Sequence, residues 1–162
     1  MQQKLLFLVF SFILLSGCNK DVIWDIYPVV ISVSVVDAQG NDLLNPQTPG
    51  CLDAGKIKAI YKGQEYKCKD PYKIKTKAYM PRFYGLELCK YSYSQVYLLN
   101  FGEFDGAQDY KNEVVFLVWE DGSSDKICFS RDYKMKRKGP KVKEKWFLND
   151  TPVSSEVIRI VK

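Results

Sequence analysis

From Val29 to Val35 every odd position is a β-branched aliphatic residue (Val29, Ile31, Val33, Val35), and Ser32 and Ser34 stand between them. A period of two sends alternate side chains to opposite faces of an extended strand, so this segment buries one face and leaves the other wet. Branching at Cβ suits the pleated, half-buried surface that results. The same grammar recurs. Ile57 to Tyr61 and Glu65 to Cys68 flank Lys62-Gly63-Gln64, while Val114 to Trp119 and Lys126 to Ser130 bracket Asp121-Gly122; both pairs read as hairpins. Val96 to Phe101 is a further apolar run, and Trp146 to Leu148 and Val157 to Val161 surround the turn residues Asn149-Asp150-Thr151-Pro152. Between Phe83 and Tyr93 the parity slips, with Tyr84, Leu86 and Leu88 on one face and Tyr91 and Tyr93 on the other, which predicts a bulge near Cys89-Lys90. About eight short strands, polar turns and no helical stripe predict an all-β fold, a single antiparallel β-sandwich.

The N-terminus carries a different message. Lys4 precedes an apolar run from Leu5 to Leu15 that only Ser11 interrupts, and Leu15-Ser16-Gly17-Cys18 closes it with small residues and a cysteine. That is the layout of a secretory signal. Eleven residues of helix reach ~16 Å, about half the hydrocarbon thickness, so the run is too short for a permanent span. Leu15-Ser16-Gly17-Cys18 also resembles the bacterial lipobox, which implies cleavage before Cys18 and a diacylglycerol on its sulfur. The expected organisation is a signal peptide over 1–17 that is removed, a lipid anchor and tether over 18–27, and a β-sandwich domain over 28–162. The expected location is the cell envelope, anchored to the outer membrane and facing the periplasm or the exterior. The first expected partner is the membrane itself, through acyl chains on Cys18.

Removing the signal leaves 145 of the 162 residues, enough for one buried core. The signal holds Lys4 and no acid, so the formal charge falls from +5 to +4, too mild to call for nucleic acid. The chain has no histidine, which excludes Ser-His-Asp and Cys-His nucleophile activation and histidine-ligated zinc or iron. With Cys18 assigned to lipid, Cys51, Cys68, Cys89 and Cys128 remain. Four thiols in an oxidising compartment suggest two disulfides. Their spacings contain no close pair of the kind that four-thiolate metal sites use, and buried free thiols are the third reading. Centring the first hairpin on Lys62-Gly63 sets Cys68 opposite Ile57, with the loop carrying Cys51 just upstream. This favours Cys51–Cys68 and leaves Cys89–Cys128 as the second bridge.

Three segments resemble small uncharacterised lipoproteins of gut Bacteroidetes: Trp24-Asp25-Ile26-Tyr27-Pro28-Val29, Val36 to Pro46, and Phe101-Gly102-Glu103-Phe104-Asp105-Gly106. Trp146-Phe147-Leu148-Asn149 lies near the end of the likeness, which runs from Trp24 to Ile160. The resemblance implies an envelope lipoprotein with an immunoglobulin-like or transthyretin-like sandwich. It brings no activity, ligand or catalytic residue with it, but it makes glycan handling or nutrient uptake a natural context.

Candidate sites compete with plain structural roles. Glu103, Asp105 and Asp109 surround Gly106, and Glu120, Asp121 and Asp125 surround Gly122. Oxygen-rich loops of this kind hold calcium, and a carboxylate pair can do glycosidase chemistry. Neither cluster matches a calcium-loop pattern, however, and Asp-Gly is also what a tight turn wants, so turn chemistry is the preferred reading. Arg131 to Lys145 holds eight basic residues against Asp132 and Glu144. Lys134, Lys136, Arg137 and Lys138 form a candidate anion patch, set against a solvated strand edge that its lysines protect from sheet pairing. Tyr66, Tyr72, Tyr79, Phe83, Tyr84, Tyr91, Tyr93 and Tyr97 are either platforms for sugar rings or packing aromatics; Tyr72 and Tyr79, in a polar connection, are the candidate ligand face. No residue set calls for a catalytic centre, a metal or a cofactor. The expected function is a non-catalytic binding or accessory module whose partners are glycan or other envelope proteins, with a small carboxylate-based hydrolase as the alternative.

Overall fold

The computed structural model describes residues 24–69, 83, 85–91, 95–154 and 157–162. The signal segment, Cys18, Tyr72, Tyr79, Tyr84 and Tyr93 lie outside the described residues. Ten strands follow in chain order: β1 (Val29–Val36), β2 (Lys58–Tyr61), β3 (Gln64–Lys69), β4 (Leu86–Tyr91), β5 (Val96–Phe104), β6 (Tyr110–Val118), β7 (Ser124–Lys136), β8 (Gly139–Leu148), β9 (Thr151–Val153) and β10 (Ile158–Val161). The one helical element among the described residues is a 3-10 turn, Ala54–Lys56, capped by the Asp53 carboxylate. The chain is therefore all-β.

The strands form one sheet in the order β10-β1-β5-β4-β3-β2-β6-β7-β8-β9, nearly closed into a barrel. Two facing sheets were the sequence expectation. A short parallel contact, Cys68 with Leu86 and Lys69 with Glu87, joins the two halves into one hydrogen-bonded order. β1 alternates as its sequence demands, with Val29, Ile31, Val33 and Val35 buried. The first hairpin turns on Lys62-Gly63, both at positive φ (50° and 76°), the geometry that matches the right-handed twist of its strands. Asn149 and Asp150 (φ 48° and 66°) make the equivalent turn between β8 and β9. The last strand then leaves that neighbourhood, because β10 pairs in parallel with β1.

The parity slip near Cys89 needs no bulge, because Tyr91 stays on the outer face, exposed. Pairing of β4 with β5 runs unbroken from Leu86–Phe101 to Tyr91–Val96, so no bulge lies at Cys89-Lys90. A separate irregularity sits in β5, between the pairs Val29–Phe104 and Ile31–Phe101. Gly102 occupies it at φ 62°, a conformation glycine adopts without strain. The extra residue returns Phe104 to the same side as Phe101, and both are buried. A chain of ring contacts then runs through the core from Tyr66 and Phe83 to Phe101, Phe104, Phe129 and Trp146, with centroids 4.9–5.3 Å apart at the links. Such contacts add about 0.5–1.5 kcal/mol per pair to the area they bury.

Candidate functional site

The long β7–β8 hairpin changes character along its length. At its base Asp125, Ile127 and Phe129 are buried, and Trp146 stacks on Phe129 at 4.9 Å. Towards its tip both strands become exposed, ending in a two-residue turn, Arg137-Lys138, between the paired Lys136 and Gly139. Alternation splits the tip into two faces. One carries Asp132, Lys134, Lys136, Lys141 and Lys143, which line a pocket of about 190 Å³, with Lys134 paired to Lys141 and Asp132 to Lys143. Two further exposed cations, Arg137 and Lys138, lie in the turn. Among the described residues, none of these cations takes part in an ion pair. Of the candidate anion patch, Lys134 and Lys136 thus share a face with Lys141 and Lys143, while Arg137 and Lys138 lie in the turn beyond it.

The solvated-edge reading is also supported. On its other side β8 pairs with β9 only at Trp146, Phe147 and Leu148, and among the described residues Gly139 to Lys145 have no strand partner there. Lysines along a free edge discourage pairing with another chain.

The opposite face of the tip meets the N-terminal segment. Residues 24–27, expected as tether, lie against the domain. A Cβ built on Gly139 would stand 2.8 Å from the Trp24 ring, and one on Gly106 would stand 2.0 Å from the Tyr27 carbonyl oxygen. Only glycine fits at these two close approaches. A cavity of about 330 Å³ opens between this segment and β8, lined in part by Tyr27, Pro28, Pro140, Val142 and Trp146, with Arg131 and Glu144 also in its wall. Arg131 is buried and fully engaged: Nε and Nη2 donate to the Gly106 carbonyl at 3.1 and 2.7 Å, and Nη1 pairs with Glu144. Glu144 also accepts from Trp146 Nε1 at 3.1 Å. This network fastens the loop after β5 to the hairpin. Sequence reading placed Arg131 and Glu144 in a basic stretch and missed the network. The one signal for it was Glu144 among lysines.

The two acidic clusters do structural work. Asp105 accepts from Ala107 N–H (2.8 Å) and from the Gln108 side chain (3.0 Å), and Asp109 accepts from Tyr133 N–H (2.6 Å). Asp121 accepts from the N–H and hydroxyl of Ser123, and Glu120 accepts from Asp53 N–H at 3.1 Å. Asp125 is buried and takes hydrogen bonds from Trp119 Nε1 and Asn149 Nδ2, both 2.7 Å, while Lys162 Nζ stands 3.0 Å away. Burial opposes ionisation of Asp125, but the bonds from Asn149, Lys162 and Trp119 outweigh it and hold its pKa below the ordinary carboxylate value. Lys162 Nζ also lies 4.6 Å from the centre of the Trp119 ring. Among the described residues, no three of Cys, Asp and Glu gather as metal ligands.

Cys51, Cys68, Cys89 and Cys128 carry free thiols. Cys68 does stand opposite Ile57, whose carbonyl accepts its N–H at 3.2 Å. Its sulfur, however, lies 4.0 Å from the Lys69 carbonyl, and the exposed Cys51 sulfur lies 3.8 Å from the Pro46 carbonyl, so the expected Cys51–Cys68 bond is not made. The Cys89–Cys128 pairing is not made either. In the sheet order β3, β2 and β6 separate their strands, and Cys128, between buried Ile127 and Phe129, turns away from the core. Burial pushes the Cys68 thiol up to about 11, with Cys89 and Glu87 adding to the rise. Burial and then Glu87 raise Cys89 as well. Thiols held protonated are poor nucleophiles.

Of the candidate aromatics, Tyr66 and Phe83 belong to the packed ring chain. Tyr91 is exposed, and Tyr97 is half-buried with Lys90 Nζ 5.5 Å from its ring centre. No protein-family model matches the chain, and no curated protein or solved structure matches it either. Function has to be argued from geometry.

Proposed function

We propose that the protein is a lipid-anchored, non-catalytic module of the cell envelope that acts by presenting a surface. The observation that carries this reading is the division of charge. The acids Asp105, Asp109, Glu120, Asp121 and Asp125 are held in internal hydrogen bonds, whereas the cations of the β7–β8 tip face solvent. A glycosidase needs a carboxyl with a raised pKa. Among the described residues, Asp37, Asp121 and Asp125 are held below the ordinary carboxylate value. The anchor remains Cys18, on the lipobox resemblance, with the outer membrane as its site. The immunoglobulin-like or transthyretin-like assignment belongs to the same proposal, as does a glycan or envelope-protein partner.

The test pairs retention with turnover. The full chain, made in a Gram-negative host with labelled palmitate, is expected to take up label, and Cys18→Ala to abolish it. Across a panel of glycans and esters the expected result is binding without product. Product formation lost on replacing one of the five acids overturns the non-catalytic reading.

A further inference from the structure

The β7–β8 tip and the N-terminal segment meet at one place, and their chemistry is that of a membrane-contacting foot. Four large apolar side chains are exposed there: Trp24 (43%), Tyr27 (75%), Met135 (54%) and Val142 (40%). Met135 pairs with Pro140 across the hairpin, and Pro140, Val142 and Tyr27 line the same cavity, so these residues share one side of the tip. Trp24 packs on Gly139, the first residue after the turn. On the other side stand Lys134, Lys136, Lys141 and Lys143, with Arg137 and Lys138 in the turn itself. Aromatic rings beside lysines and arginines are the composition that settles at a lipid–water boundary, rings at headgroup depth and cations on the phosphates.

Position supplies the second argument. Trp24 is six residues beyond Cys18. Six residues span at most about 20 Å even when fully extended. An acyl-anchored Cys18 therefore holds Trp24, and the hairpin tip packed against it, within reach of the bilayer surface. Charge points the same way. The stretch Arg131 to Lys145 holds eight basic residues against two acids, and both acids in it belong to this hairpin, Glu144 being already spent on Arg131.

We propose that the β7–β8 tip, with Trp24 and Tyr27, docks on the anionic headgroups of the membrane in which the protein is anchored. The proposal rests on the envelope reading above for the source of the membrane, not for the foot's chemistry. Docking fixes the orientation of the domain: the tip faces the lipid, and the opposite end of the sheet, with the β6–β7 turn and exposed Tyr91, faces away.

Tryptophan fluorescence with brominated lipids tests this on the full chain. Trp119 and Trp146 are buried, so quenching by a shallow bromolipid reports Trp24. The chain is reconstituted into phosphatidylcholine vesicles with and without about a third of phosphatidylglycerol. The expected result is clearly stronger quenching with the anionic lipid. Raising salt to about 1 M, where the Debye length is near 3 Å, returns it to the neutral-vesicle value. Combined Lys136→Gln, Arg137→Gln and Lys138→Gln gives the same return, since each basic residue near an anionic surface is worth about a fivefold change in partitioning. Equal quenching in the two vesicle types, or quenching indifferent to salt, overturns the foot. The salt series on the unaltered chain decides even if the triple variant folds poorly. Cys18→Ala separates the two readings. Loss of palmitate label with retained anionic dependence supports both; label without anionic dependence sinks the foot alone; anionic dependence without label in the unaltered chain sinks the anchor alone.

Discussion

The two ends of the β7 strand treat charge in opposite ways. At its start Asp125 is buried and holds three partners, Trp119, Asn149 and Lys162, drawn from the β6–β7 turn, the β8–β9 turn and the C-terminus. At its far end Lys134 and Lys136 are exposed, with Lys141 and Lys143 beside them on β8 and no ion pair to any described residue. Arg131 stands between, buried and fully paired. A charge that leaves water must be matched by partners, and then it becomes structure. A charge kept in water adds little to stability and stays available for contact. One strand carries both kinds.

The contrast breaks most visibly at Arg131. Arg131→Ala removes the partner of Glu144 and both donors to the Gly106 carbonyl. Removing one member of a buried pair costs about 3–5 kcal/mol. Urea unfolding of Arg131→Ala is expected to show a loss of that order, and a loss below about 1 kcal/mol would place Arg131 among the surface charges instead.

Asp125 comes next. Asp125→Asn keeps the shape but weakens charge-assisted bonds, each worth about 1.5–3 kcal/mol, so a loss of about 2 kcal/mol is expected in the same assay. The sign with pH follows from the lowered folded pKa. The unfolded carboxyl titrates near 3.9, so the contribution is complete above that value and shrinks as pH falls through it towards the lower folded pKa. The stability gap between the parent chain and Asp125→Asn is therefore expected to narrow below about pH 4. A gap that stays constant down to pH 2 contradicts an ionised, partnered Asp125.

Strands written in period two were legible from the residues alone: β1, the Lys62-Gly63 hairpin and the Asp121-Gly122 hairpin stand where alternation and turn chemistry put them. What depended on pairing between distant segments was not legible. No bulge forms at Cys89, because Tyr91 stays on the outer face, exposed, while the irregularity at Gly102 resets the parity of β5, which no residue of β4 records. The parallel β10–β1 pairing leaves no local mark, since nothing near Ile158 records Val33 as its partner. The Cys89–Cys128 expectation met the same obstacle, since three strands stand between β4 and β7 in the sheet order. For the site, composition showed the lysines of the tip, but only folding placed Trp24 on Gly139 and sorted Arg131 and Glu144 from the exposed charges around them.

The smallest effect tests the central claim most directly, that the tip is surface rather than scaffold. Lys134, Lys136, Lys141 and Lys143 are replaced together by glutamine, and urea unfolding is compared with the parent chain. Surface substitutions away from partnered groups shift stability by about 0.5 kcal/mol or less each, and relief of lysine–lysine repulsion pushes upward. The expected result is a midpoint unchanged or slightly raised. A clear drop, about 2 kcal/mol or more in all, would mean that these lysines hold the fold together, and the division of charge along β7 would be contradicted.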